Sequence, residues 1–165
     1  MSTFEHTIEI HAPVETVFAF DTDPQNWTRT MSSLRDLEIV EETETGARMH
    51  AVYKILGIAQ DVEMEMKIVE PNEHLHISVE GSGMGSEIDI HYSETDNGTQ
   101  IAHEATYEFG DSVLDSVLEP VATRYTNRQF EMHLANTKDI VEAEAEAEVE
   151  AEAEAEAQDE ARPAA

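Results

Sequence analysis

The 165 residues hold 37 acidic side chains against nine basic ones, a formal net charge of −28, and only three of the basic residues are lysine. Such a surface lacks the clustered lysine and arginine that a phosphate backbone or an anionic membrane requires, and without cysteine the chain has no disulfides, thiolate chemistry or Cys-ligated zinc. A body this acidic repels itself in dilute buffer, and salt near 1 M shortens the screening length to about 3 Å, so acid excess with scarce lysine favours a salt-adapted, cytoplasmic protein over an ordinary acidic mesophilic one.

The opening MSTFEHTIEIHAP has neither a basic n-region nor an apolar h-region, so a signal peptide is not expected there. No run approaches the roughly 18 apolar residues that cross a bilayer. Phe4, Ile8 and Ile10 alternate with Glu5, Thr7 and Glu9, the mark of a half-buried strand. Pro13 stands where a helix begins, Val14, Val17, Phe18 and Phe20 supply its apolar positions, and Asp21, Asp23 and Pro24 end it. A second short helix is predicted over 24–31, carrying Trp27.

From Leu34 to Phe109 the apolar period becomes two. Leu37 and Ile39 begin a strand that ends in Glu-Glu-Thr-Glu-Thr-Gly46. Met49, Ala51, Tyr53 and Ile55 form the next, stopped by Gly57. Val62, Met64, Met66 and Ile68 alternate with Glu63, Glu65 and Lys67, and Pro71-Asn72 closes that run. Leu75, Ile77 and Val79 precede the turn at 81–85. Ile88, Ile90 and Tyr92 lead to Asp96-Asn97-Gly98, a hairpin signal, and Ile101, His103, Ala105, Tyr107 and Phe109 form the last strand. Seven strands joined mostly by short turns predict an antiparallel meander.

Asp111-Ser112 marks a helix start, and helical pattern continues to about Val141, with Pro120 dividing a short leading helix from a long one. Two apolar stripes compete on it. Val117, Leu118, Val121, Tyr125 and Met132 share one side, while Phe130, Leu134 and Val141 share another. The sequence does not decide which faces inward. Residues 142–165 form an acidic Glu/Ala tail with ten acidic residues and one arginine, so nine of the 28 net charges lie there and 19 on the body. Glu pairs at i,i+4 repel, so the tail is expected as frayed helix or disordered chain that adds solubility.

Strand, two short helices, six strands and a long helix make a helix-grip α+β arrangement over residues 1–141: a curved seven-stranded antiparallel sheet around one C-terminal helix. The order resembles the SRPBCC superfamily, also described as START-like or polyketide cyclase/dehydrase-like. The resemblance is carried by Ile8 to Phe18, with Pro13 at the first strand's exit into a helix, and by Asp23-Pro24-Gln-Asn-Trp27. It is also carried by Gly46-Ala-Arg with Tyr53 and Gly57, and by Gly98-Thr99-Gln-Ile101. It implies a cavity between sheet and helix that holds a small apolar molecule such as a lipid, quinone, isoprenoid or polyketide.

In that picture Tyr53, His103 and Tyr107 are the polar groups that orient a guest, and Trp27, Met49, Val121 and Tyr125 form its wall or mouth. Each has a plainer reading: His103 as a satisfied core histidine, Tyr53 as packing with its hydroxyl at the rim, Trp27 as a core anchor. Methionines suit an adaptable wall. His74 and His76 project from one side of a strand and could pair on a metal, but no third ligand is placed by spacing, so a solvated outer face fits better and no metal or other cofactor is expected. Gly81, Gly83 and Gly85 precede a strand, not a helix, so they are a turn rather than a phosphate loop. The sequence therefore favours noncatalytic binding of an apolar molecule. Its rival is a cyclase or dehydratase using His103 as base with Tyr53 or Tyr107 as donor. A third possibility is an interaction module with a collapsed cavity. No nucleic-acid partner and no stable membrane insertion are expected, and the oligomeric state is open.

Overall fold

The computed structural model describes residues 2–81, 83–109 and 119–160. The first strand, β1 (Ser2–Ile10), enters α1 (Val14–Asp21) at Pro13. A 3₁₀ turn (Pro24–Asn26), capped by the Asp23 carboxylate accepting from the Gln25 amide at 3.1 Å, leads into the single turn of α2 (Trp27–Thr30). Six strands follow: β2 (Leu34–Thr43), β3 (Gly46–Ile55), β4 (Ile58–Glu70), β5 (His74–Gly81), β6 (Met84–Thr95) and β7 (Gly98–Phe109). The last element is α3 (Glu119–Glu160), a helix of 42 residues.

All seven strands pair antiparallel in the order β1-β7-β6-β5-β4-β3-β2, so the first strand closes on the last. The α+β helix-grip architecture is therefore as the sequence pattern implies. Alternation decides the faces: Met49, Ala51, Tyr53 and Ile55 on β3, and Leu75, Ile77 and Val79 on β5, are all buried on the side toward the helix. Burying each of the larger aliphatic side chains among them contributes about 1.5–3 kcal/mol.

Turn chemistry fixes the register. The two-residue Leu56-Gly57 turn has positive φ at both positions, 51° and 83°, and joins Ile55 to Ile58. At the opposite end of the sheet a methyl group on Gly98 would collide with the backbone oxygen of Ile10. The neighbouring Thr99 hydroxyl donates to the Ala12 carbonyl oxygen at 2.8 Å, so the β6–β7 hairpin clamps the exit of β1.

The two competing stripes of the last helix are resolved. Ala122, Thr126, Phe130, Leu134, Thr137 and Val141 are buried against the sheet and the short helices. Val121 and Met132 are 48% and 46% exposed, on the opposite side. The stripe that faces inward is completed by alanine and two threonines, small side chains that let a helix approach a sheet closely but weigh little in a hydropathy pattern. Pro120 is the second described residue of α3. The expected leading helix, with Val117 and Leu118, lies outside the described residues. Beyond Val141 the helix runs unbroken to Glu160 as α-helix, not disordered chain, and from Glu146 onward its side chains are exposed.

Candidate functional site

Between the sheet and α3 lies a partly open cavity of about 60 Å³. That is small beside the roughly 300–1,000 Å³ of sites that hold drug-sized ligands. Its floor is sheet: Val62, Met64, Ile77, Val79, Met84, Ile88 and Ile90. Trp27, Met31 and Leu34 close one side, and Phe130 of α3 covers it. Five polar side chains interrupt this apolar lining: Asp21, Tyr53, His103, Tyr107 and His133.

Tyr53 and Tyr107 arrive by parity from β3 and β7. Burial pushes both phenols above their ordinary range, Tyr107 further than Tyr53. The hydroxyls of Ser33, Tyr107 and Thr126 surround that of Tyr53 closely enough to affect its ionisation, yet Ser33, Tyr53, Ser86 and Thr126 oxygens all lack a partner at hydrogen-bonding geometry. His103 is 3% exposed, its Nδ1 is also unpartnered, and its ring packs against Phe130 at 4.9 Å between centroids. Burial, with His133 and His6 nearby, lowers its pKa to about 3, so the imidazole is neutral. Each unpaired buried polar atom costs about 1–3 kcal/mol. Of these atoms, the Tyr53 hydroxyl and His103 Nδ1 belong to side chains that line the cavity.

His133 and Asp21 are the site residues that the sequence reading missed. His133 Nδ1 shares a hydrogen bond of 2.8 Å with the Thr30 hydroxyl, which also lies 3.1 Å from the Trp27 carbonyl oxygen. Burial lowers the pKa of His133 to about 4. Asp21 is the last residue of α1, and its carboxylate is buried there. Desolvation raises its pKa to about 6, although the Tyr92 hydroxyl donates to its Oδ2 at 2.7 Å and opposes the rise. The Trp27 indole N–H donates to the Asp21 carbonyl oxygen at 2.8 Å, which fixes the ring in the cavity wall. A signal for Asp21 was present: a carboxylate at the negative end of a helix dipole, closing the apolar run Val-Glu-Thr-Val-Phe-Ala-Phe, breaks an elementary rule.

The structure therefore brings together Trp27, Tyr53, His103 and Tyr107 from the expected set. It does not bring in the others. Met49 is buried on the same face as Tyr53 but packs into the core away from the cavity, whose methionines are Met31, Met64 and Met84. Tyr125 is half-buried outside it, with its hydroxyl 3.5 Å from the Lys54 carbonyl oxygen. Val121 is solvent-facing because the other stripe of α3 docks.

On the outer face of the sheet His74 Nε2 and His76 Nδ1 both donate to Asp89 Oδ1, at 2.7 and 2.9 Å, and His76 Nε2 donates to Glu87 Oε2 at 2.6 Å. Among the described residues no group of three or more His, Asp or Glu is arranged to hold a metal ion. This is a charge network at the surface.

A sheet curled around one long helix with a lined void between them defines the helix-grip class. The chain belongs to the family described as polyketide cyclase/dehydrase and lipid transport, which it matches over residues 1–142. No curated protein matches it. Among solved structures it is similar to TTHA0849 from Thermus thermophilus, with TM-score 0.76 and 18% identity, covering 86% of this chain and 98% of that one. It is also similar to the Zhui aromatase/cyclase from Streptomyces sp. R1128, with TM-score 0.75 and 14% identity over 86% and 93%. A START superfamily protein from Mycobacterium smegmatis follows at 0.71 and 13%, over 86% and 97%. At such identities the likeness is one of fold. Among the described residues no helix is long and apolar enough to cross a membrane.

Proposed function

We propose that the chain binds a small apolar molecule in this cavity and performs no chemistry on it. The observation that carries the reading is the lining: mostly apolar side chains, interrupted by Asp21, Tyr53, His103, Tyr107 and His133, with the Tyr53 hydroxyl and His103 Nδ1 unpartnered among the described residues. Apolar area withdrawn from water supplies the affinity, about 25 cal/mol per Å², and the polar atoms orient the guest. At about 60 Å³ the resting cavity is smaller than such a guest, so binding widens it. Met31, Met64 and Met84 are unbranched walls that can re-pack to do so.

The rival role for His103, a general base, is disfavoured by its own environment. An imidazole whose pKa has fallen to about 3 takes up a proton poorly near neutrality. The group matched to proton transfer at that pH is Asp21, near 6, and a cyclase or dehydratase would have to use it. We further infer a salt-adapted cytoplasmic setting from the 37 acidic residues and scarce lysine.

The test is binding of a neutral fluorescent dye, N-phenyl-1-naphthylamine, to the full chain in molar KCl. The wild type and Val121→Glu should bind alike, and Val79→Phe, which fills the cavity while circular dichroism shows a native fold, should bind at least about tenfold more weakly. Equal binding by wild type and Val79→Phe would refute the carrier reading. An absence of binding by all three would favour a collapsed interaction module.

A further inference from the structure

Resting on that reading, we infer that the guest is an uncharged molecule bearing an oxygen, such as a phenol, alcohol or ketone, and that the cavity rejects the carboxylate of the same skeleton. Three features of the site carry this.

No described lysine or arginine lines the cavity, so a carboxylate entering it would lose its water and meet no cation. The ionisable group that does line it besides the imidazoles and phenols is Asp21, an acid, set in a body of the same sign. A carboxylate guest would bring a like charge into that cavity. The two imidazoles offer no remedy, because burial holds both neutral.

The unpartnered atoms are what an uncharged oxygen can satisfy. Tyr53 offers a hydroxyl that donates or accepts. His103 Nδ1 offers one further bond of either sense according to its tautomer. Both side chains are more than nine-tenths buried and line the cavity, and neither atom has a partner at hydrogen-bonding geometry among the described residues, although the Ser33, Tyr107 and Thr126 hydroxyls stand close to that of Tyr53. A pure hydrocarbon leaves both atoms unpaired. A phenol or alcohol can donate to the ring nitrogen or accept from the phenol, and a ketone can accept. Recognition by buried polar atoms discriminates strongly, since the guest that lacks the group leaves them without a partner.

The experiment uses the full chain at pH 7.5 in molar KCl, with the dye displaced by three molecules of one skeleton: 4-butylphenol, butylbenzene and 4-butylbenzoate. Displacement by the phenol is expected at concentrations about tenfold below the hydrocarbon and lower still against the benzoate. Tyr53→Phe should bring the phenol to within about threefold of the hydrocarbon. Benzoate displacing as well as phenol overturns the inference and leaves the carrier reading standing. So does a phenol with no advantage over butylbenzene. A dye that fails to bind at all overturns both.

Discussion

His103 and His76 stand on the same sheet and face opposite sides of it. On the inner face, His103 has no hydrogen-bond partner at Nδ1, and burial drives its pKa down to about 3. On the outer face, partial burial of His76 disfavours its charge, but hydrogen bonds and attraction from Asp89 and Glu87 prevail and hold its pKa above the ordinary value. Both ring nitrogens of His76 meet carboxylates, which only the doubly protonated ring can do. The two sites show that the pKa of the same residue is pushed down or up by which parity of an alternating strand it occupies. Inside, among the described residues, no carboxylate pairs with His103 or His133. Outside, the protein's abundant carboxylates find His76. The surface network is thus a product of composition, while the unpaired inner wall runs against the rule that buried polar atoms are satisfied.

The comparison can be broken most forcefully at Asp21, the acid on the inner side. Its folded pKa, near 6, exceeds the ordinary 3.8, so the contribution it makes is complete below about pH 4 and is lost as pH rises through 6. Asp21→Asn keeps an acceptor for Tyr92. It should stabilise the chain by about 3 kcal/mol at pH 7.5 and by nothing near pH 3.5, measured by urea unfolding at both values. A variant less stable than wild type at pH 7.5 would show that the carboxylate is better accommodated than its burial implies.

His103 gives the next largest effect, with the opposite slope. A depressed pKa contributes stability above the unfolded value of about 6.5 that is lost as pH falls toward 3. His103→Phe should therefore lose about 2 kcal/mol less than wild type on going from pH 7.5 to pH 5, by the same unfolding measurement. Parallel losses in the two proteins would mean that the ring takes up a proton in the folded state.

The smallest effect belongs to the outer face. The raised pKa of His76 makes its contribution complete below pH 6.5 and lost as pH climbs through the folded value. Because the network is partly exposed, His76→Gln should cost less than about 1 kcal/mol at pH 6, and less again in molar KCl. A cost that persists unchanged in high salt would mark this network as more than a screened surface contact.

The strand faces were legible from alternation alone, because a period of two admits one burial pattern once the apolar set is known. The contents of the cavity were legible only where parity governed them, at Tyr53, His103 and Tyr107, and at Trp27 through its place in the second short helix. The helix side was not. Val121 and Phe130 are both apolar and lie half a turn apart, and the choice between them rests on how closely Thr126 and Thr137 let the helix approach the sheet. His133 reached the site through that same choice. Asp21 was treated as a helix stop because its burial depends on Tyr92, 71 residues away along the chain.

The indole of Trp27 belongs to the one tryptophan in the chain, and it sits in the cavity wall, tied by its N–H to a backbone oxygen. Emission excited at the red edge of the aromatic absorption band therefore comes from a single chromophore at a known place, with no background from a second. Any occupant that displaces solvent from beside the ring moves the spectrum, so loading and release can be followed in a cuvette without attaching a label.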